Sequence, residues 1–311
     1  MSRCSIAGAC RKLLSVFAAC MHAAVIAHVL QCAAPSCAND PVEHGNINDL
    51  AADAVPSVVF GEPMAGRRTF AVTAGWEETD VRHVISLPKD WRPWQSYPLL
   101  VEFPGNGGYR NDLGDVSDGT PESCVLGHGL GADGGFLWVS LPFVEVTGDG
   151  SRRNCLRWWG DVDETKRYCI ATVRDVCSRF GGDDSRVVLC GFSRGAIACN
   201  YIGLHDDTIA SLWCGFFCHS HYDGVRQWPY PGSDAPAATR RLSRLAGRPQ
   251  WISHELDVAP TEAFIDASGV SGAFTFVAIP YPNHTAAWVL RQIPERARAR
   301  AWLRQIVERD D

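Results

Sequence analysis

The chain has no internal repeat, no Cys-x-x-Cys pair and, beyond its first 38 residues, no basic stripe. The first absence excludes an array of stacked repeat units. The second removes the short-spaced cysteine clips that usually hold zinc. The third argues against a nucleic-acid partner, because a phosphate backbone is tracked by clustered Lys and Arg. No linker-like stretch interrupts residues 56–309, which therefore read as one domain.

What the chain does have is ordinary globular composition. Of its 311 residues 46% are hydrophobic and 21% charged, enough apolar surface for a sizeable core. The N-terminus stands apart. Arg3, Arg11 and Lys12 precede an almost uncharged stretch from Leu13 to Leu30, then small residues through Ser36-Cys37-Ala38. Residues 1–38 read as a secretory signal peptide cleaved after Ala38. The competing reading is an uncleaved membrane anchor, disfavoured by the alanines and by His22 and His28. A lipid anchor at Cys32 is disfavoured by Gln31 before it. Cleavage removes three basic and no acidic residues, taking the formal net charge from −6 to −9. Five of the 13 cysteines lie in this leader and eight remain, so an exported protein could form disulfides. Cys124 and Cys155 are the first candidates, while Cys190 reads as a core thiol.

Residues 39–55 are polar and read as a flexible leader into the domain. Two β-rich segments, Thr69–Thr73 and His83–Leu87, suggest an antiparallel ribbon. Strands are expected at Leu99–Phe103, Phe136–Leu141, Arg186–Cys190, Leu212–Phe217, Gln250–Ser253 and Phe274–Ile279. Helices are expected from Asp163 to Phe180, ending at Gly181-Gly182, and over Pro294–Val307. Strands alternating with helices predict a mainly parallel central sheet with helices on both faces, an α/β architecture.

The chemistry concentrates at Val187-Val188-Leu189-Cys190-Gly191-Phe192-Ser193-Arg194-Gly195-Ala196. A buried strand entering Gly-x-Ser-x-Gly and leaving as a helix is the context of a nucleophile elbow, with Ser193 at a strained turn between Gly191 and Gly195. A serine hydroxyl needs a base, and the base an orienting acid. His284, in the loop between the last strand and the last helix, is the expected base; His205 should point away. Asp257, just past the penultimate strand, is the expected acid, with Glu255 as the substitute and a helix cap as the competing role for Asp257. One oxyanion donor should be the Arg194 amide. The other should come from Pro104-Gly105-Asn106-Gly107-Gly108, with Asn106 best placed.

From about residue 66 onward, these pieces resemble secreted α/β-hydrolases of the polyhydroxybutyrate-depolymerase and feruloyl-esterase-like group. The resemblance rests on the ribbon, Pro-Gly-Asn-Gly-Gly, Gly-Phe-Ser-Arg-Gly, His-x-x-Asp-x-x-Pro and the late histidine. It implies the α/β-hydrolase fold and a serine carboxylesterase with no metal or organic cofactor, acting on a small-molecule or polymeric ester. The chain departs from the pattern at Pro104, Ala196 and His254-Glu255. Arg194, bulky beside the nucleophile, is expected to pair with a carboxylate of the protein, with an acidic substrate as the alternative partner. Trp158, Trp159, His221 and Trp288 are candidate pocket residues, and Trp228 and Tyr230 could extend an aromatic platform. Three other readings are a prolyl-oligopeptidase-like serine peptidase, a non-catalytic carbohydrate- or polymer-binding protein on this scaffold, and a metal-dependent hydrolase centred on His219 and His221. A membrane partner follows only if the N-terminal segment stays uncleaved.

Overall fold

The computed structural model describes residues 45–131 and 135–308. The expected signal peptide, 1–38, and residues 39–44 lie outside them. Nine strands make one sheet: β1 (Val58–Val59), β2 (Arg68–Ala71), β3 (His83–Ser86), β4 (Tyr97–Phe103), β5 (Leu137–Ser140), β6 (Gly182–Phe192), β7 (Gly215–His219), β8 (Gly247–Glu255) and β9 (Gly272–Ile279). Their order across the sheet is β1-β2-β3-β5-β4-β6-β7-β8-β9. The predicted ribbon is β2 and β3, antiparallel with Arg68 opposite Ser86. β3 is also antiparallel to β5, and every pairing from β5 across to β9 is parallel.

The described residues form seven α-helices: α1 (Leu126–Gly131), α2 (Val162–Phe180), α3 (Arg194–Tyr201), α4 (Asp207–Ala210), α5 (Ala235–Leu242), α6 (Ala259–Ser268) and, after the last strand, α7 (Pro294–Val307). The long helix α2 has matched ends. Asp161 accepts from the Glu164 amide at 2.9 Å, and Gly181 closes the helix at φ 78°. The elbow strand is longer than its apolar run, because a register shift between Gly182 and Val187 lets it begin against Tyr97.

Period-two alternation along the central strands divides the interior into two cores. Val101, Val187 and Leu189 face one core, with Tyr168 of α2 and Ile197 of α3. Leu100, Val188 and Cys190 face the other, with Leu130 of α1 and Leu303 and Ile306 of α7. With both faces covered, the strands read as nearly continuous hydrophobic runs.

This division corrects two sequence expectations. Cys124 belongs to the second core and Cys155 to the first, so the sheet stands between them and they do not pair. All eight cysteines among the described residues are free thiols. Trp288 is 1% exposed within the second core, near Phe217 at 6.3 Å, and does not line a substrate pocket.

Residues 45–55 are not a loose leader. Ile47 is fully buried in a short 3₁₀ turn, Ile47–Asp49, which Asn46 caps through the Asn48 amide. The Asp53 amide donates to the Leu290 carbonyl at 2.8 Å, and the Arg291 guanidinium donates to the Ile47 carbonyl at 3.1 Å. One buried isoleucine and a set of hydrogen bonds thus hold a stretch whose composition reads as a linker.

Candidate active site

β6 delivers the chain to Ser193, whose backbone sits at φ 54° and ψ −112°, a sparsely populated region for a non-glycine residue. The flanking glycines are required by contact. A Cβ on Gly191 would run into the Gly195 carbonyl, and one on Gly195 into the Phe103 carbonyl. The Ser193 amide donates to the His219 carbonyl at 2.9 Å, tying the turn to the end of β7.

His284 lies in the loop after β9, with Nε2 3.0 Å from Ser193 Oγ. Its Nδ1 is 2.9 Å from Glu255 Oε1. The acid facing the histidine is therefore Glu255, and the expectation of Asp257 is corrected. β8 stays in register with β9 as far as Glu255 opposite Ile279, so this carboxylate stands at the end of the strand. Leu256, at φ 57°, then turns the chain away. Asp257 Oδ1 instead accepts the amide of Ala259, the first residue of α6, at 2.8 Å, while Val258 holds the N-cap position.

Burial alone would raise the Glu255 carboxyl, but contacts from His254 and His284 outweigh it and hold the group well below the usual carboxylate range. His254 Nδ1 lies 2.9 Å from Glu255 Oε2, an ion-pair contact rather than an aligned hydrogen bond. The Ser220 hydroxyl reaches both partners of the relay, 2.6 Å from Glu255 Oε1 and 2.7 Å from His284 Nδ1.

The loop carrying His284 is held on both sides. Before it, Asn283 accepts the Ile47 amide at 2.8 Å and donates to Asn46 at 2.8 Å and to the buried Asp115 at 2.9 Å. After it, the Thr285 carbonyl accepts a hydrogen bond from His219 Nε2 at 3.0 Å. The ring itself meets Tyr109 edge-on, with centroids 4.9 Å apart.

A cavity of about 230 Å³ opens over Ser193, walled by Asn106, Tyr109, Trp158, Ile197, His221 and Trp228. Trp158 and His221 are thus where the sequence suggests. Trp159 is not: it stacks on Tyr201 at 4.6 Å and backs the wall instead of lining it. Asn106 reaches the cavity, while its side-chain carbonyl accepts the Trp158 amide at 2.8 Å. The neighbouring Gly107 amide is occupied by the Leu156 carbonyl at 2.8 Å. Arg194 opens α3, where main-chain N–H groups have no partner within the helix.

Arg194's side chain does not meet a carboxylate, contrary to expectation. It is 1% exposed, donates to the carbonyls of Trp158 at 2.7 Å and Gly119 at 3.4 Å, and lies 4.0 Å from the centre of the Phe143 ring. Burial lowers its pKa to about 9, so it stays charged at neutral pH.

His219 and His221 do not share a face, because Ser220 at φ 85° breaks the extended geometry that would align them. His219 is enclosed between Ser253 Oγ at 3.0 Å and Thr285, whereas His221 faces Trp228 and His284. Burial pushes His83 down to about 3 and both His219 and His221 down to about 4. The unfolded chain binds these protons below its ordinary 6.5, while the fold refuses them until those lower values. The stability they give is therefore complete above pH 6.5 and declines as the pH falls toward 4. For His219 alone the loss at pH 5 is about 2 kcal/mol. Thermal melts at pH 7 and pH 5 should show a lower Tm at pH 5, with a smaller difference in His219→Asn.

Among the residues that sequence reasoning passed over, Tyr109 carries no local signal. Ser220 carries one: it follows the strand next to the elbow strand, at the carboxyl edge where such sheets place their functional groups.

No protein-family model matches the chain, and no curated protein matches it. Solved structures do. An esterase structure from Rhizomucor miehei superposes with a TM-score of 0.51 at 12% identity, covering 77% of this chain and 82% of the esterase. Dipeptidyl peptidase 4 of Porphyromonas gingivalis superposes with a TM-score of 0.52 at 14% identity. That match covers 78% of this chain but 36% of the peptidase, so this chain spans about a third of that enzyme's length. Strand order, the turn at Ser193 and these superpositions agree: the chain has the α/β-hydrolase fold.

Proposed function

We propose that the protein is a serine hydrolase that cleaves carboxylic esters through Ser193, His284 and Glu255. The observation that carries this reading is the relay itself, Ser193 Oγ to His284 Nε2 at 3.0 Å and His284 Nδ1 to Glu255 Oε1 at 2.9 Å. Glu255 holds the proton on Nδ1, which leaves Nε2 free to accept the Ser193 proton as Oγ attacks the ester carbonyl. The amides of Arg194 and Asn106 receive the developing oxyanion, a stabilisation of about 3–4 kcal/mol per donor. His284 then returns the proton to the departing alcohol, and water repeats the sequence on the acyl-enzyme.

The cavity favours an ester over a peptide with a free N-terminus. Tyr109, Trp158, Ile197 and Trp228 form its apolar walls, Arg194 is the cation that lines it, and among the described residues no carboxylate lines it to receive an α-ammonium. Trp158 and Trp228, 5.5 Å apart, offer a surface for a flat or extended apolar acyl group, including the polymeric and feruloyl esters that the family resemblance implies. Residues 1–38 are proposed to direct export.

The test is hydrolysis of a short-chain p-nitrophenyl ester by the full chain, with and without chelator. Turnover should survive chelator and fall by about 10⁴-fold or more in Ser193→Ala. Turnover retained in Ser193→Ala, or lost to chelator, removes the serine mechanism.

A further inference from the structure

Four of the six described non-glycine residues with positive φ surround the site: Trp158, Ser193, Ser220 and Leu256. Strain at Ser193 comes with the nucleophile turn, and Leu256 turns the chain after the acid. Ser220, at φ 85°, has no such topological duty. A glycine would take this backbone without strain. A serine held there is explained by its hydroxyl, and the hydroxyl is fully buried against two members of the relay.

Proton inventory fixes the direction of these bonds. Glu255 is an ionised carboxylate and can only accept, so the Ser220 O–H donates to Oε1 at 2.6 Å. The lone pairs of the same oxygen then face His284 Nδ1 at 2.7 Å. The Nδ1–H is shared between Glu255 Oε1 and Ser220 Oγ, which favours the tautomer that leaves Nε2 free for Ser193. The peptide before Ser220 is gripped from both neighbouring strands. Its carbonyl, on His219, accepts the Ser193 amide at 2.9 Å, and its N–H donates to the Ser253 carbonyl at 2.7 Å. One peptide unit therefore sets the nucleophile's main chain and, through the Ser220 hydroxyl, the orientation of base and acid.

We propose that Ser220 is a positioning residue that holds the His284 ring and the Glu255 carboxylate in register with Ser193. The proposal rests on the serine-hydrolase reading. No proton leaves Ser220 in the cycle: the Ser193 proton passes to His284 Nε2 and on to the leaving alcohol, while the Ser220 hydrogen stays on its bond to Glu255. When the imidazolium forms, the Ser220 oxygen is a second acceptor for its Nδ1–H. A ring freed from this contact samples orientations that miss Ser193.

The experiment compares wild type, Ser220→Ala and Ser220→Gly in p-nitrophenyl butyrate hydrolysis, with thermal melts and the low-field proton resonance of His284 Nδ1. Ala keeps the backbone strain without the hydroxyl. Gly removes both, so it folds at least as readily as wild type and decides the matter if Ala does not fold. Both variants should lose kcat by roughly 10- to 100-fold while KM stays within about threefold, and the resonance should move. A folded variant within about threefold of wild-type kcat overturns the proposal, as does a loss carried by KM. Wild type that neither turns over the ester nor is labelled at Ser193 by a fluorophosphonate overturns the hydrolase reading itself, a result distinct from active variants.

Discussion

Glu255→Gln lowers kcat by about 10³- to 10⁴-fold, whereas Asp257→Asn leaves it within about twofold of wild type. The two carboxylates are separated by a single residue, yet their surroundings differ completely. Glu255 accepts from His284 at 2.9 Å and from Ser220 at 2.6 Å, and an amide in its place can present its NH₂ to Nδ1 and reverse the tautomer. With Nδ1 deprotonated, Nε2 carries the hydrogen and cannot take the Ser193 proton. Asp257 is exposed and bonds only locally, to the Ala259 amide, so its loss should cost helix α6 about 1 kcal/mol or less. Steady-state kinetics on the two purified variants check the pair. A dead Asp257→Asn beside an active Glu255→Gln would return the acid to Asp257.

A chain beginning at residue 56, the boundary that composition suggests, should lose more than about 4 kcal/mol of stability relative to one beginning at residue 45. Burial of Ile47 accounts for about 2 kcal/mol, with a further cavity cost where it was removed. Asn283 then loses its bonds to Ile47 and Asn46, and Asp115 loses the Asn48 amide at 2.9 Å. Each buried polar group left without a partner costs about 1–3 kcal/mol. Asp53 goes as well, and with it the ion pair to Arg296 of α7. Urea denaturation of the two chains measures the difference. Equal midpoints would mean that the segment adds nothing to the fold. The shorter chain should also be at least about tenfold slower per folded molecule, because Asn283 directly precedes His284.

How far the sequence can be read depends on the range over which each feature is determined. The turn at Ser193 is local: two glycines, a strand and a helix are all adjacent, and no distant residue has to be known. The opening ribbon and the last helix, Pro294–Val307, are visible for the same reason. The acid is harder because its position depends on where β8 stops, and pairing with β9 carries that strand two residues past its apolar run to Glu255. The roles of Trp159 and Trp288 depend on which side of a wall or sheet each ring falls, and both turn inward. Arg194 reads as a cation seeking a carboxylate, yet two carbonyls and an aromatic face satisfy it. Residues 45–55 are the extreme case, because their polar side chains find partners far away in the sequence, at Leu113, Asp115, Asn283 and Arg296.

The loop bearing His284 is staked on both sides by buried groups, Asn283 to the N-terminal segment and Asp115, and Thr285 to His219 at the end of β7. Local opening of such a loop must break contacts that belong to the sheet and to the Ile47–Asp49 turn, so it cannot melt as a cooperative unit of its own. His284 keeps one position below the unfolding temperature, so heat should remove the proposed ester turnover and tertiary structure in the same transition.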